Sequence, residues 1–558
     1  MFQKNDGHLQ QSFINGLNEL PEELQKRLES SWSGAFYENV FVHIDETAYA
    51  VLYADLPSRP NVPVNILVGL EMLKAGHGWS DEEMYENVCY NVQVRQALGL
   101  RNLGEGYFGM RTIYVFRHRL VQHMQETGQN LFEQTFEQVT AEQLEKFSLK
   151  SNRQRIDSTQ IASNIREMSR LQLLVEVLQR VHRMLDEAEQ EQWQSDFAPY
   201  LKGTSGQYTY RLKGKGAHRP HLEAVGQLMA RLVTELADEY QAHETYQVLR
   251  RVFNEHFNQS DDRVDPKEGS DLKASHLQSP DDLEASYRTK RGESYVGYVA
   301  NITETSHEEN EFQLIVKVQV EPNTTDDAKM LADLVPELKN KHGLELMNAD
   351  GGYGSPAVDE VLADHHVELH QTALRGRQPQ AGSFNLADCT LELDPDDRTL
   401  LTVTAPDGTQ LKVEPGRKAH RYILRSSPAA TDDPPATYYI SKQEVEVALR
   451  RQRSKQPHPD GKNPRAAIES TIGAIKRPFG NDKLPVRGKF RMGAMVIGSA
   501  AMVNLRRIQR FRAEEWKQAR KQAVENGTTH PLFLFFSRTL AIFLSHFYSV
   551  AHFSTLHS

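Results

Sequence analysis

Two distant segments with the two-residue period of strands constrain this chain most. Gln154-Arg155-Ile156-Asp157-Ser158-Thr159 is one. The other is a block in which Ser294–Ile302 and Phe312–Val320 alternate and are rich in β-branched residues, as half-buried strands are. Asp326 to Asn340 then carries Met330, Leu331, Leu334 and Leu338 at helical spacing, and Leu344–Ala349 and Val367–His370 read as further strands. The order strand, strand, strand, helix, strand, helix, strand predicts an α/β fold: a mixed sheet with flanking helices. Asp157 and Asp350 would then end neighbouring strands. Gly351, Gly352 and Gly354 are expected to allow the sharp turn that frees the Asp350 carboxylate.

A second stretch, Asn463-Pro464-Arg465-Ala466-Ala467-Ile468-Glu469-Ser470-Thr471-Ile472-Gly473-Ala474-Ile475-Lys476, reads as a helix. Pro464 suits its first turn. Ile468, Ile472 and Ile475 form an apolar stripe that can seat it on a core. At roughly 100° per residue, Arg465, Glu469 and Lys476 fall within about 40° of one another. A carboxylate so flanked can hold a divalent metal, and cations one turn away can hold phosphates. Taken alone, the pattern also describes a surface helix with an Arg465–Glu469 ion pair. The chain carries a net charge of −10, but Arg450 to Arg512 holds 16 Lys and Arg against Asp460, Glu469 and Asp482, a local +13. Nucleic-acid binding needs a local basic surface, not a basic whole.

Asp157 after a strand, Asp350-Gly-Gly-Tyr after another, and Arg465-x3-Glu469-x6-Lys476 on a helix together resemble the catalytic triad of the DDE transposases of bacterial insertion sequences. The similarity runs over roughly Asn61 to Arg510. It implies an RNase H-like mixed sheet with an all-α N-terminal domain, interrupted by a helical insertion and a small β insertion. It also implies that Asp157, Asp350 and Glu469 are catalytic and ligate two Mg²⁺ or Mn²⁺ ions, and that Arg465, Lys476 and Arg477 face DNA. Many relatives carry a Tyr three residues before the Arg, where this chain has Lys462. Relatives often carry a Cys before the Pro that matches Pro406; here Ala405 stands there, and no zinc is expected.

Nine segments follow. Residues 1–60 form an acidic N-terminal segment with a short helical pattern at Leu17 to Leu28. Residues 61–148 form a helical domain. Its helices carry Ile66 to Leu73, then Met84 to Val88 after the capping box Ser80-Asp81-Glu82-Glu83, then Ile113, Phe116 and Leu120. Arg111 and Arg117 on the third make it a candidate DNA reader. Residues 149–165 hold the first core strand, and 166–257 a helical hairpin built on Leu171 to Leu185 and Leu222 to Leu236. Residues 258–283 are polar and are expected to be a mobile linker. The core resumes over 284–373. Residues 374–440 form the β insertion, with a hairpin turn at Asp407-Gly408. Residues 441–512 supply core helices with Glu469 and the basic surface. Residues 513–558 form a helical tail, apolar only in patches, for which packing is preferred over membrane contact.

Cys89 and Cys389 are too few and too far apart for a disulfide framework or a cysteine zinc site, which fits a reducing cytoplasm. The start of the chain has no apolar leader. Ser158 and Thr159 lack an assignable His and acid, so a serine nucleophile is disfavoured. His182 reads as a core-edge residue. His366 and His370 could share a face without further ligands in view. Three carboxylates with oxygen donors select Mg²⁺ or Mn²⁺. The expectation is a DNA transposase that binds the inverted-repeat ends of its element, cleaves and joins DNA, and works in the cytoplasm on the nucleoid. Its partners are double-stranded DNA and at least one further copy of itself. The alternatives are a catalytically decayed transposase acting as a DNA-binding protein, and a metal-dependent nuclease without strand transfer.

Overall fold

The computed structural model describes residues 1–9, 16–54, 60–102, 104–203, 205, 216–260, 263–290, 292–372, 384–394, 399–417, 421–426, 437–455 and 464–525. The fold is mixed α/β. Eight strands precede the small insertion: β1 (Arg153–Ala162), β2 (Phe257–Ser260), β3 (Arg263–Pro266), β4 (Ser286–Lys290), β5 (Glu293–Thr305), β6 (Ile315–Pro322), β7 (Leu346–Ala349) and β8 (Glu368–Gln371). All but β2 and β3 build one sheet. β1 lies at its centre, antiparallel to β5 and parallel to β7, which is parallel to β8. The long β5 shares its far edge between β4 at one end and β6 at the other, both antiparallel.

Strand alternation gives this sheet two unlike faces. Ile156, Met347 and Ala349 point to one. There they meet Leu331, Leu334 and Leu338 of helix Asp327–His342 and Val358 and Leu362 of helix Pro356–Asp364 in a dry apolar cluster. Arg155, Asp157, Thr159 and Ile161 point to the other, beneath helix Pro464–Lys476 and helix Lys489–Glu525.

The acidic N-terminal segment is packed into the core. It contains helices Glu22–Glu29 and Trp32–Asn39, and its Phe36, Phe41 and Tyr49 join one apolar core with Leu70, Phe116 and Phe136. That core continues without a break into Met495, Val503 and Leu505 of the long helix and Ile302 of β5. Glu46, buried at 1 % exposure, explains part of the attachment: its carboxylate accepts from the Val64 and Asn65 N–H groups at 2.9 and 3.2 Å. Helix Val64–His77 starts after Pro63, which offers no side-chain cap, and Glu46 supplies one from afar. Gly78 ends that helix in the left-handed region at φ 73°, and Ser80 and Glu83 form the capping box of the next. Lys317 of β6 then pins the helical region to the sheet, with Glu133 at 2.9 Å, Glu337 at 2.8 Å and a close contact to Glu137.

The helical insertion has a core of its own, from Leu171 to Leu277. It is larger than a hairpin: helices Gln194–Leu201 and Glu244–His256 pack with Arg170–Met184 and Arg219–Glu235. His182 lies edge-on to Phe197 within it. The segment 258–283 differs from a structureless linker. It contains the β2–β3 hairpin and ends at Asp282, 2 % exposed. The Asp282 carboxylate accepts from Ser163 and Tyr298 hydroxyls and from the Gly488 N–H at 2.9 Å. One buried acid thus ties the insertion's exit to β1, β5 and the start of the long helix.

β9 (Thr390–Leu393), β10 (Leu400–Thr404), β11 (Gln410–Pro415), β12 (Arg421–Ser426) and β13 (Thr437–Ser441) form a second, antiparallel sheet. Gly408 turns β10 into β11 at φ 87°. Cys89 and Cys389 are both free thiols. Among the described residues, no helix is long and apolar enough to cross a membrane. Lys462, Pro428, Pro434, Pro435 and the tail from 526 to 558 lie outside the described residues.

Candidate active site

The placement of two carboxylates follows from strand register. β1 and β7 are paired in parallel with Arg153 opposite Leu346, Gln154 opposite Met347 and Arg155 opposite Asn348. Two residues further along each strand come Asp157 and Asp350. Both therefore project to the face that Arg155 and Asn348 share, away from the Ile156 cluster. Asp157 is 8 % exposed, and its Oδ1 accepts from the Ser158 N–H at 2.9 Å. Asp350 N-caps a short 3-10 turn, its Oδ1 accepting from the Gly352 N–H at 2.6 Å.

Helix Pro464–Lys476 covers this face. Ile468, Thr471 and Ile475 are buried, and Ile472 and Ile475 meet Thr159 and Ile161 of β1. Glu469 lies about 100° round the helix from Ile468 and is exposed, on the flank of the seated stripe. What fixes the helix is a residue the sequence reading passed over. Glu304 of β5, fully buried, stands opposite Arg155. Its carboxylate pairs with Arg155 Nε at 2.7 Å and Arg507 Nη1 at 2.6 Å, and accepts from Thr471 Oγ1 at 3.0 and 2.9 Å. Arg507 also donates to Thr471 Oγ1. Ser499 of the long helix adds a bond to the Ile475 carbonyl at 2.7 Å. The helix bearing Glu469 is thus bolted to β1, β5 and the long helix one turn beyond Glu469.

The Asp350 turn is held from behind. Gln371 of β8 donates to the Asp350 carbonyl at 3.0 Å. Arg450, on helix Lys442–Lys455, is 7 % exposed and pairs with Asp359 at 3.3 Å. It lies so close that a Cβ on Gly354 would sit 2.1 Å from Arg450 Nη1. Gly351, Gly352 and Gly354 were expected to supply backbone freedom, yet none of them has a positive φ. At Gly354 the missing Cβ instead makes room for the Arg450 and Gln371 side-chain ends, which any larger residue would displace. On the opposite sheet face, the Tyr353 hydroxyl donates to Asn301 Oδ1 at 2.7 Å. Burial, reinforced by the charges of Asp327, Asp157 and Asp350, pushes its pKa well above the ordinary phenol value, so it remains a donor.

The expected phosphate-binding cations have unequal fates. Arg465 sits on the first turn of the Glu469 helix. Lys476, mostly covered, pairs with the half-exposed Asp482 at 2.8 Å. Arg477 and Arg111 are exposed. Arg117 is turned inward: its guanidinium binds Glu71 at 2.7 Å and Asp81 at 2.9 and 2.7 Å. Lys74 adds to Asp81 at 2.6 Å. Burial raises the Asp81 carboxyl, but Arg117 and Lys74 outweigh it and hold its pKa at about 2. Two carboxylates within one helical domain need a cation more than solvent does, so Arg117 serves packing.

Oxygen donors on two adjacent strand ends beneath a third on a helix suit Mg²⁺ or Mn²⁺. Asp157, Asp350 and Glu469 offer such donors, but the structure does not bring the three within reach of one ion. Among the described residues, no three acid, imidazole or thiol groups stand close enough together to bind one ion. His365 binds the Val361 carbonyl, and His370 faces Glu368 at 3.8 Å. No known protein family, curated protein or solved structure matches the chain.

Proposed function

We propose that the chain is a DDE-type DNA transposase with an RNase H-like core. The observation that carries this reading is the shared register of Asp157 and Asp350 on one sheet face, beneath the helix that bears Glu469. The strand order β6-β5-β1-β7-β8, with β5 alone antiparallel to the other four, supports the same core. When bound, a pair of divalent cations polarises the phosphodiester and lowers the pKa of the attacking water or 3′-hydroxyl. The chain's own residues do the rest. Asp157 and Asp350 are held in place by β1 and by the Gln371–Arg450 buttress. Glu469 is held by the Glu304 network. Arg465 and Lys476 would fix phosphates beside Glu469, Lys476 by exchanging Asp482 for a phosphate. The partners are double-stranded DNA and a second copy of the chain, since joining two element ends takes at least a dimer. The work is done at the nucleoid.

The test uses DNA flanking this gene with both ends of the element, purified protein, and Mg²⁺ or Mn²⁺. Boundary nicks and joined products are expected, and Asp157→Asn should reduce both to background while still binding the ends. Nicking without joining would make the protein a nuclease. Specific binding without cutting in either metal would make it a decayed, DNA-binding transposase.

A further inference from the structure

Most arginines that pack between elements here are matched by acids: Arg117 by Glu71 and Asp81, Arg155 and Arg507 by Glu304, Arg512 by Glu38. Arg95 and Arg170 are held by backbone carbonyls instead, and one further junction gathers three arginines. Arg506 and Arg510 stand one turn apart on the long helix, and Arg477 follows the Glu469 helix. The three meet where helix Val64–His77 ends. Arg506 Nη2 donates to the Gly76 carbonyl at 2.8 Å. Beside it, the backbone at Gly78 approaches Pro478, which follows Arg477, so closely that a Cβ would lie 2.3 Å from the Pro478 oxygen. Among the described residues, no carboxylate forms an ion pair with Arg477, Arg506 or Arg510. Burial and then the charges of Arg477 and Arg510 pull the Arg506 pKa down, so the cations repel one another. The carbonyl end of helix Val64–His77 offsets only part of that.

We infer that Arg477, Arg506 and Arg510 form a seat for the phosphates of duplex DNA, where the N-terminal helices meet the Glu469 helix. This rests on the transposase reading and adds to it a docking face that Arg117 cannot supply. DNA held there would run from the helical domain onto the helix that carries Glu469.

The test is fluorescence anisotropy of the full chain on a labelled duplex of about 40 bp of mixed sequence, over about 0.05 to 0.3 M salt. Removing three phosphate contacts lowers the slope of log affinity against log salt by about 2.7. Arg477→Ala/Arg506→Gln/Arg510→Ala should show that change, with an affinity loss on the order of 100-fold at about 0.15 M salt. Arg183→Ala/Lys202→Ala/Lys273→Ala removes as much charge elsewhere and should keep the slope. Should Arg506→Gln unfold the protein, the exposed pair Arg477→Ala/Arg510→Ala is expected to lower the slope by about 1.8. Wild-type slopes in these variants would overturn the seat and leave the transposase reading standing. A wild type that binds no duplex at about 0.05 M salt would overturn both.

Discussion

The two faces of the central sheet are built from alternate residues of the same strands, yet they solve different problems. On one, Ile156, Met347 and Leu331 form an apolar cluster, with the Tyr353–Asn301 hydrogen bond beside it. On the other, the fully buried Glu304 carboxylate is paired with the mostly covered Arg155 and Arg507, beside Asp157. Hydrocarbon tolerates loss in proportion to the volume removed. A buried ion triad does not, because removing one member strands the others in a poor solvent. The lesson is that the face carrying the candidate site is positioned by compensation, and the opposite face by packing.

The sharpest break of that comparison is Glu304→Ala. It leaves the mostly covered Arg155 and Arg507 without their acid, so a loss of about 3–4 kcal/mol is expected in denaturant unfolding. Leu331→Ala on the dry face should cost about 2–4 kcal/mol. A Leu331 variant clearly weaker than the Glu304 variant would reverse the ranking of the faces. A smaller effect tests whether compensation elsewhere follows pH. Asp81 is held at about 2 by Arg117 and Lys74, below its ordinary 3.8. Its contribution should be fully present above about pH 5 and fade as pH falls through about 2, worth about 1 kcal/mol at this half-exposed site once solvent screening is counted. The stability gap between wild type and Asp81→Asn, followed by melting from pH 6 down, should therefore close near pH 2. A gap that widens toward acid would show that the pair is not what holds the helices. Least affected should be Lys150→Ala, whose exposed contact with Glu309 is open to solvent; its melting temperature should match the wild type.

What was legible in the sequence was periodicity. Strands β1, β5, β6, β7 and β8 and helix Asp327–His342 fall within a few residues of the spans their alternation predicts. The end of helix Val64–His77 and the Ser80 cap were written in Gly78 and Ser80-x-x-Glu83. Helices Leu131–Lys146 and Glu244–His256 were passed over although Phe132, Phe136, Val139 and Leu249, Val252, Phe253 carry the signal. Partnerships between distant charges were not legible. Nothing local distinguishes Arg117, bound inward, from Arg111, left exposed. Composition made 258–283 look loose because one buried Asp282 does the anchoring. Glu304 reads as an ordinary polar position in an alternating strand until Arg155 and Arg507 are brought to it from both sides.

The long helix has a consequence for how the protein is made. Its Met502 fills the space beside Gly76, and Arg506 closes the end of helix Val64–His77 from 430 residues away. At a synthesis rate of roughly 5–20 residues per second, the first helices wait roughly 20–90 s for the segment that completes their core. Until then the part of their apolar surface that Met502 and Val503 cover has no partner within the nascent chain. A ribosome that stops early releases a polypeptide whose opening domain is unfinished, so only a nearly full-length product would carry a complete N-terminal core.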